Sequence, residues 1–211
     1  MATGVVALAA DFVIHAHLLA RCLTGLNAAM FVALWGINAA RCLRWPREVL
    51  RDLKDFDRGP GFFTVVAGTA VLGVQMAAIP GWPAAAFGLW AIAVPLWACL
   101  LYAILFAFTV AERKPRFEKG INGGWLISIV ATQGIADLGA RVSAQVPAWR
   151  SEILFLALAL WLAGGMLYVW LIALIFLRFT FYPFRPQDFI PPFRRWRGPR
   201  SSSRHAQADF W

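Results

Sequence analysis

Charge is scarce in this sequence: only 15% of its 211 residues are Asp, Glu, Lys or Arg, against about 25% in a typical soluble domain. With 60% of the residues hydrophobic, a soluble fold could not cover its own apolar surface. Cysteine is nearly absent. Cys22, Cys42 and Cys99 are an odd number with no Cys-x-x-Cys spacing, which excludes a disulfide framework and a zinc cluster and leaves reduced packing residues. Histidine is equally rare; His15 and His17 have only Asp11 near them in sequence, so they mark an interface rather than a metal site. No phosphate-binding loop is present, because Gly59-Pro60-Gly61 lacks the Lys and Ser/Thr that such a loop needs. Ser201 to Ser203 and His205 lie in a stretch without periodicity, where no nucleophile could be held in geometry. No catalytic constellation emerges, so the reading is not an enzyme and needs no cofactor and no metal. The first ten residues have no basic region ahead of an apolar core, so no cleavable signal peptide is visible.

What is present is a series of apolar runs: Met1 to Ile14, Thr24 to Ala40, Phe62 to Ile79, Ala84 to Val110, Ile121 to Ala136 and Ile153 to Leu177. A helix needs about 20 apolar residues to cross a bilayer. The pattern predicts an all-α integral membrane protein, one helical domain over residues 1–192, with about five full spans and a clipped first one. The first run has no polar lead-in, which implies a missing upstream segment. Pro95 gives the long fourth run a local cause to kink. Pro80-Gly81-Trp82-Pro83 predicts a tight reversal between the third and fourth runs. Residues 193–211, rich in Arg, Ser and Pro, are expected to form a disordered basic tail.

The formal net charge of +9 arises from 20 Lys+Arg against 11 Asp+Glu. In a soluble chain that excess would suggest nucleic acid, but here the bases cluster between and after the apolar runs. Six lie in Arg41 to Arg58, four in Ala111 to Gly120 and seven from Arg178 onward, leaving Arg21, Arg141 and Arg150 on the other side. Basic residues beside spans favour the cytoplasm. The asymmetry therefore places the N-terminus and the tail on the cytoplasmic side of a cell membrane, with lipid rather than nucleic acid as the partner. Arg44 to Asp57, where Leu50 and Leu53 alternate with mixed charges, has the pattern of a short surface helix but reads first as a solvated connector.

Polar residues inside the runs are unevenly spread. The first run carries Thr3 and Gly4; the third carries Thr64, Gly68, Thr69, Gly73 and Gln75; the fifth carries Asn122, Ser128, Thr132, Gln133 and Gly134. The even runs are almost purely apolar. Polar groups in hydrocarbon need partners or water, so the odd runs are expected inside and the even runs against lipid. Thr3, Thr64, Gly68, Thr69, Asn122, Ser128, Thr132 and Gln133 could then line a path. The same residue types also serve ordinary helix packing in membranes, and composition leaves both readings open. Asp137 can be neutralised by Arg141 one turn later or could couple protons. Arg58 and Lys119 stand beside the starts of the third and fifth runs, where helix dipoles would add to their attraction for anions.

Met1 to Gly4, Arg58 to Thr64 leading to Gly68-Thr69, Gly120 to Trp125 with Val130 to Gln133, and Arg178 to Phe181 carry a resemblance. The chain resembles the tellurite-resistance/C4-dicarboxylate transporter family, which includes plant slow anion channels and fungal malate permeases. The resemblance implies helical hairpins from a fold of ten transmembrane helices, with odd helices around a central anion pore, and trimeric assembly. It also implies transport of small anions such as malate, chloride or nitrate. Only about six of those helices are expected here, so the phenylalanine that occludes the family's pore on its ninth helix has no counterpart. An inactive fragment or a non-transporting membrane interaction protein is the alternative to an anion transporter.

Overall fold

The structure is a computed structural model and describes residues 2–181 except 14, 57, 112–119 and 121–122. The described residues form α-helices, short 3-10 turns and no strand. The helices are α1 (Ala2–Phe12), α2 (His17–Arg44), α3 (Pro46–Leu53), α4 (Phe63–Ala78), α5 (Pro83–Val110), α6 (Leu126–Ser143) and α7 (Arg150–Phe181). Each apolar run thus has its helix, and α3 is added. The expected basic tail at 193–211 lies outside the described residues.

Four segments are long and apolar enough to cross a membrane: His17–Arg44, Gly59–Ala78, Pro83–Val110 and Pro147–Phe181. The fifth run differs from expectation. Gly123 to Trp125 form a 3-10 turn, and the α-helix occupies Leu126–Ser143 instead of ending at Ala136. Paired glycines weaken an α-helix start, while at the far end Arg141 donates to Asp137 at 3.1 Å and lets the helix continue past both charges. With Gln133, Asp137 and Arg141 aboard, α6 is too polar to count among the four. The segment read first as a solvated connector is also helical. In α3, Pro46 occupies the first turn with Glu48, and Arg51 the last, an order that suits the helix dipole.

Pro95 lies within α5 without interrupting it. The reversal between α4 and α5 forms where the sequence placed it. Gly81 has φ +66°, a backbone conformation that glycine adopts without a Cβ penalty, and the Trp82 amide closes the turn onto the Met76 carbonyl at 2.8 Å.

Burial separates two kinds of helix. Ten of the 16 residues of α4 are buried, and ten of the 18 in α6. In α2 only Ala20, Thr24 and Asn27 are buried, and in α5 only Ala86, Ala93 and Ile104. Leu18, Val32, Tyr102, Met166 and Phe176 are among the large side chains left exposed on α2, α5 and α7. Such a surface is matched to lipid rather than water. α4 packs on α1, α5 and α6, and α6 on α7, so the inner helices form a row backed by the outer ones. Small residues allow the close approach: a Cβ on Gly73 would collide with Leu138 of α6, and one on Gly164 would lie 2.8 Å from the Gln133 amide nitrogen.

Candidate functional site

The inner helices carry two kinds of polar residue, and the fold separates them. On α4, Thr64 is exposed and Gly68 half-buried. Both lie on one face with Gly61 below and Val71 and Gln75 above, at helical spacing. A Cβ added at Gly61 or Gly68 would meet nothing within 4 Å. Higher on this face the neighbour is α1, where a Cβ on Gly4 would lie 2.6 Å from Val71 Cγ1 and 3.0 Å from Gln75 Oε1. Thr3 is half-buried beside that contact. Thr64 donates its hydroxyl to the Gly61 carbonyl at 2.6 Å, and its oxygen retains acceptor capacity.

The other predicted residues lie within helix contacts. Thr69 is fully buried and donates to the Val65 carbonyl at 2.8 Å. Ser128 donates to the Trp125 carbonyl and Thr132 to the Ser128 carbonyl. Thr132 also accepts from the Trp97 indole of α5 at 2.9 Å, which turns its oxygen toward an outer helix. Gln133 donates to the Trp161 carbonyl of α7 at 3.2 Å. Asn122 and Lys119 lie outside the described residues.

At the basic end, Arg58 precedes the 3-10 turn Gly59–Phe62 that leads into α4. Its guanidinium donates to Asp52 at 2.7 Å, and Arg41 at the end of α2 donates to the other oxygen of the same carboxylate. Burial works against the charged form of Asp52, but hydrogen bonds and charges from Arg58 and Arg41 outweigh it and hold the carboxyl below the usual carboxylate value. Two cations thus share one carboxylate. Alongside it, Phe56 stacks on Phe108 of α5 at 4.0 Å, and Phe108 meets Trp125 edge-on at 5.3 Å. This column ties the segment after α3 to the start of α6. Among the described residues no group of His, Cys, Asp and Glu could hold a metal ion.

The sequence matches the family described as SLAC1, voltage-dependent anion channel, over residues 1–204. The chain belongs to the voltage-dependent anion channel family. That match covers nearly the whole chain and runs past residue 192. No match is found among curated proteins or solved structures. The family resemblance carried by the glycine and threonine motifs is therefore sound, and so is the all-helical membrane fold. Members of the anion channel family are channels and transporters rather than enzymes, and membership makes this a multi-pass membrane protein whose class of activity is anion transport.

Two features were not legible from composition. Although α2 is an outer helix, its Asn27 donates to Gln75 Oε1 of α4 at 2.5 Å, and Gln75 Nε2 approaches Thr24 Oγ1 at 3.4 Å. Gln75 is fully buried and holds α2, α4 and α1 together. The spacing of Thr24 and Asn27, three apart on one helical face, was the available signal. The second is the Arg41–Asp52–Arg58 cluster, whose members lie 11 and 6 positions apart and which needs the α2–α3 bend to form.

Proposed function

We propose that α1, α4 and α6 form part of the wall of a path for small anions, either C4-dicarboxylates such as malate or inorganic anions such as chloride and nitrate. One observation carries this reading: α4 is buried on most of its circumference yet keeps an uncrowded strip at Gly61, Thr64 and Gly68. Thr3, Thr64 and Gly68 face the path in this reading, and Asn122 is assigned to it from the sequence alone. Thr69, Ser128, Thr132 and Gln133 serve it from behind by fixing the spacing of the inner helices.

α4 contains no Lys or Arg. An anion there meets oriented dipoles and donors rather than a full charge, which gives weak, low-specificity binding suited to permeation. The positive ends of α4 and α6, with the excess of basic residues on this side of the spans, draw anions to that mouth. Lys119 adds to it. The mouth is cytoplasmic, as are the N-terminus and the tail, because most bases flank this side of the spans. Assembly as a trimer is what the family resemblance implies.

The test is anion efflux from liposomes containing the full chain. Wild type passes chloride, nitrate or malate above protein-free vesicles, and Gly68→Phe, which fills the strip, blocks it. Arg58→Gln lowers flux at low salt, and the deficit shrinks at high salt as the charge is screened. Flux untouched by Gly68→Phe removes α4 from the path.

A further inference from the structure

α3 has two flanks of opposite character, and the fold uses them differently. Glu48 and Asp52 lie one turn apart on one flank, Arg47 and Arg51 one turn apart on the other, and Pro46, Leu50 and Leu53 run between them. Asp52 is turned toward the protein and taken up by Arg41 and Arg58. Leu53 is half-buried against the core beside α5. The opposite side is left uncovered. Leu50 is 55% exposed and Trp45 52%, and Arg44, Arg47, Arg51 and Lys54 are exposed without an ion pair among the described residues. Arg44 lies over the Trp45 ring, 6.0 Å from its centroid.

We infer that this face of α3 docks on anionic phospholipid headgroups of the leaflet that the mouth of the helices meets. Charge complementarity favours that occupant: Arg44, Arg47, Arg51 and Lys54 outnumber the acids beside them, Glu48 and Asp55, because Asp52 is taken up by Arg41 and Arg58. The apolar residues favour it as well, since Leu50 and Trp45 would have no reason to face water but are suited to the boundary between headgroups and acyl chains. α3 joins two spans, so its axis lies where the bilayer surface must be. Juxtamembrane bases of this kind gain from the negative potential of an anionic leaflet, by about fivefold in occupancy for each Lys or Arg. The docking does not depend on conduction, but it bears on the mouth: the inner flank of the same helix holds Arg58 through Asp52, and Phe56 continues the chain to Phe108 and Trp125.

The experiment uses the full chain with Cys22, Cys42 and Cys99 replaced by serine and a bimane label on Leu50→Cys. It is reconstituted in phosphatidylcholine vesicles containing a minor share of phosphatidylglycerol, with one lipid or the other brominated as a quencher. Brominated phosphatidylglycerol should quench more per mole than brominated phosphatidylcholine, which reports local enrichment at α3. Arg47→Gln with Arg51→Gln should reduce that preference by about fivefold per charge removed. Arg47→Lys with Arg51→Lys should retain it, which separates surface charge from loss of fold, and Arg150→Gln should leave it unchanged. Equal quenching by the two lipids, or a preference indifferent to the double Gln variant or lost in the Lys pair, overturns the inference. So does loss of preference on adding inorganic phosphate at constant ionic strength, which would make the face a free-phosphate site.

Discussion

Replacing Thr132 by valine tests which residues of α6 belong to the wall and which to its support. Thr132 is 1% exposed and accepts the Trp97 indole at 2.9 Å while donating to the Ser128 carbonyl at 2.8 Å. Valine keeps the shape and removes the oxygen, so the Trp97 N–H loses its acceptor between α5 and α6. In water an orphaned buried donor costs about 1–3 kcal/mol. Within a bilayer the unfolded reference is itself helical and finds partners, and interhelical bonds average about 0.6 kcal/mol with a maximum near 1.7. The second scale governs here, giving about 1 kcal/mol, or roughly fivefold in the folding equilibrium. The assay is reversible unfolding in mixed micelles, run as a cycle with Trp97→Phe. Thr132→Val and Trp97→Phe should each destabilise, the pair should cost less than their sum, and Thr132→Ser, which keeps the acceptor, should lie near wild type. Zero coupling between the two positions would refute the hydrogen bond as the reason for a threonine here. Unchanged stability with altered anion flux would return Thr132 to the path.

Cysteines placed at Thr64 and Gly68, with the native cysteines replaced, should react with a small water-soluble thiol reagent, whereas cysteines at Thr69, Thr132 and Leu160 should not; equal labelling of both sets would erase the distinction between face and support. Gly73→Ala sets a methyl against Leu138 and should destabilise by about 1–3 kcal/mol in the same unfolding assay, with Leu138→Ala restoring part of the loss. For Asp52, the folded carboxyl titrates below its ordinary value of 3.8, so its contribution is complete above that value and is lost as pH falls through the lower folded one. Amide exchange in α3, followed downward from pH 5, should therefore accelerate below about pH 4 in wild type and show no such step in Asp52→Asn. A step that persists in the variant would assign the transition to another group.

Much of this protein is written in its order of residues. Length and apolarity of the runs fix the helices, because a backbone in hydrocarbon must satisfy its hydrogen bonds within the segment. The concentration of Thr, Gly, Ser and Gln in the third and fifth runs marks α4 and α6 as inner helices for the same reason: lipid offers such groups no partner. The family motifs at Met1 to Gly4, Arg58 to Thr69 and Gly120 to Gln133 point to anion transport. Composition could not say which side of an inner helix a given hydroxyl occupies. Thr64 and Thr69 are five residues apart on one helix, about 140° around its axis, and one is exposed while the other is fully buried. Only the placement of α5 and α6 against α4 decides that. The same holds for Trp97 on Thr132, for Asn27 on Gln75, and for Asp52 between Arg41 and Arg58. Each contact joins separate elements, and a contact between elements depends on their rotation and depth, which local pattern does not encode.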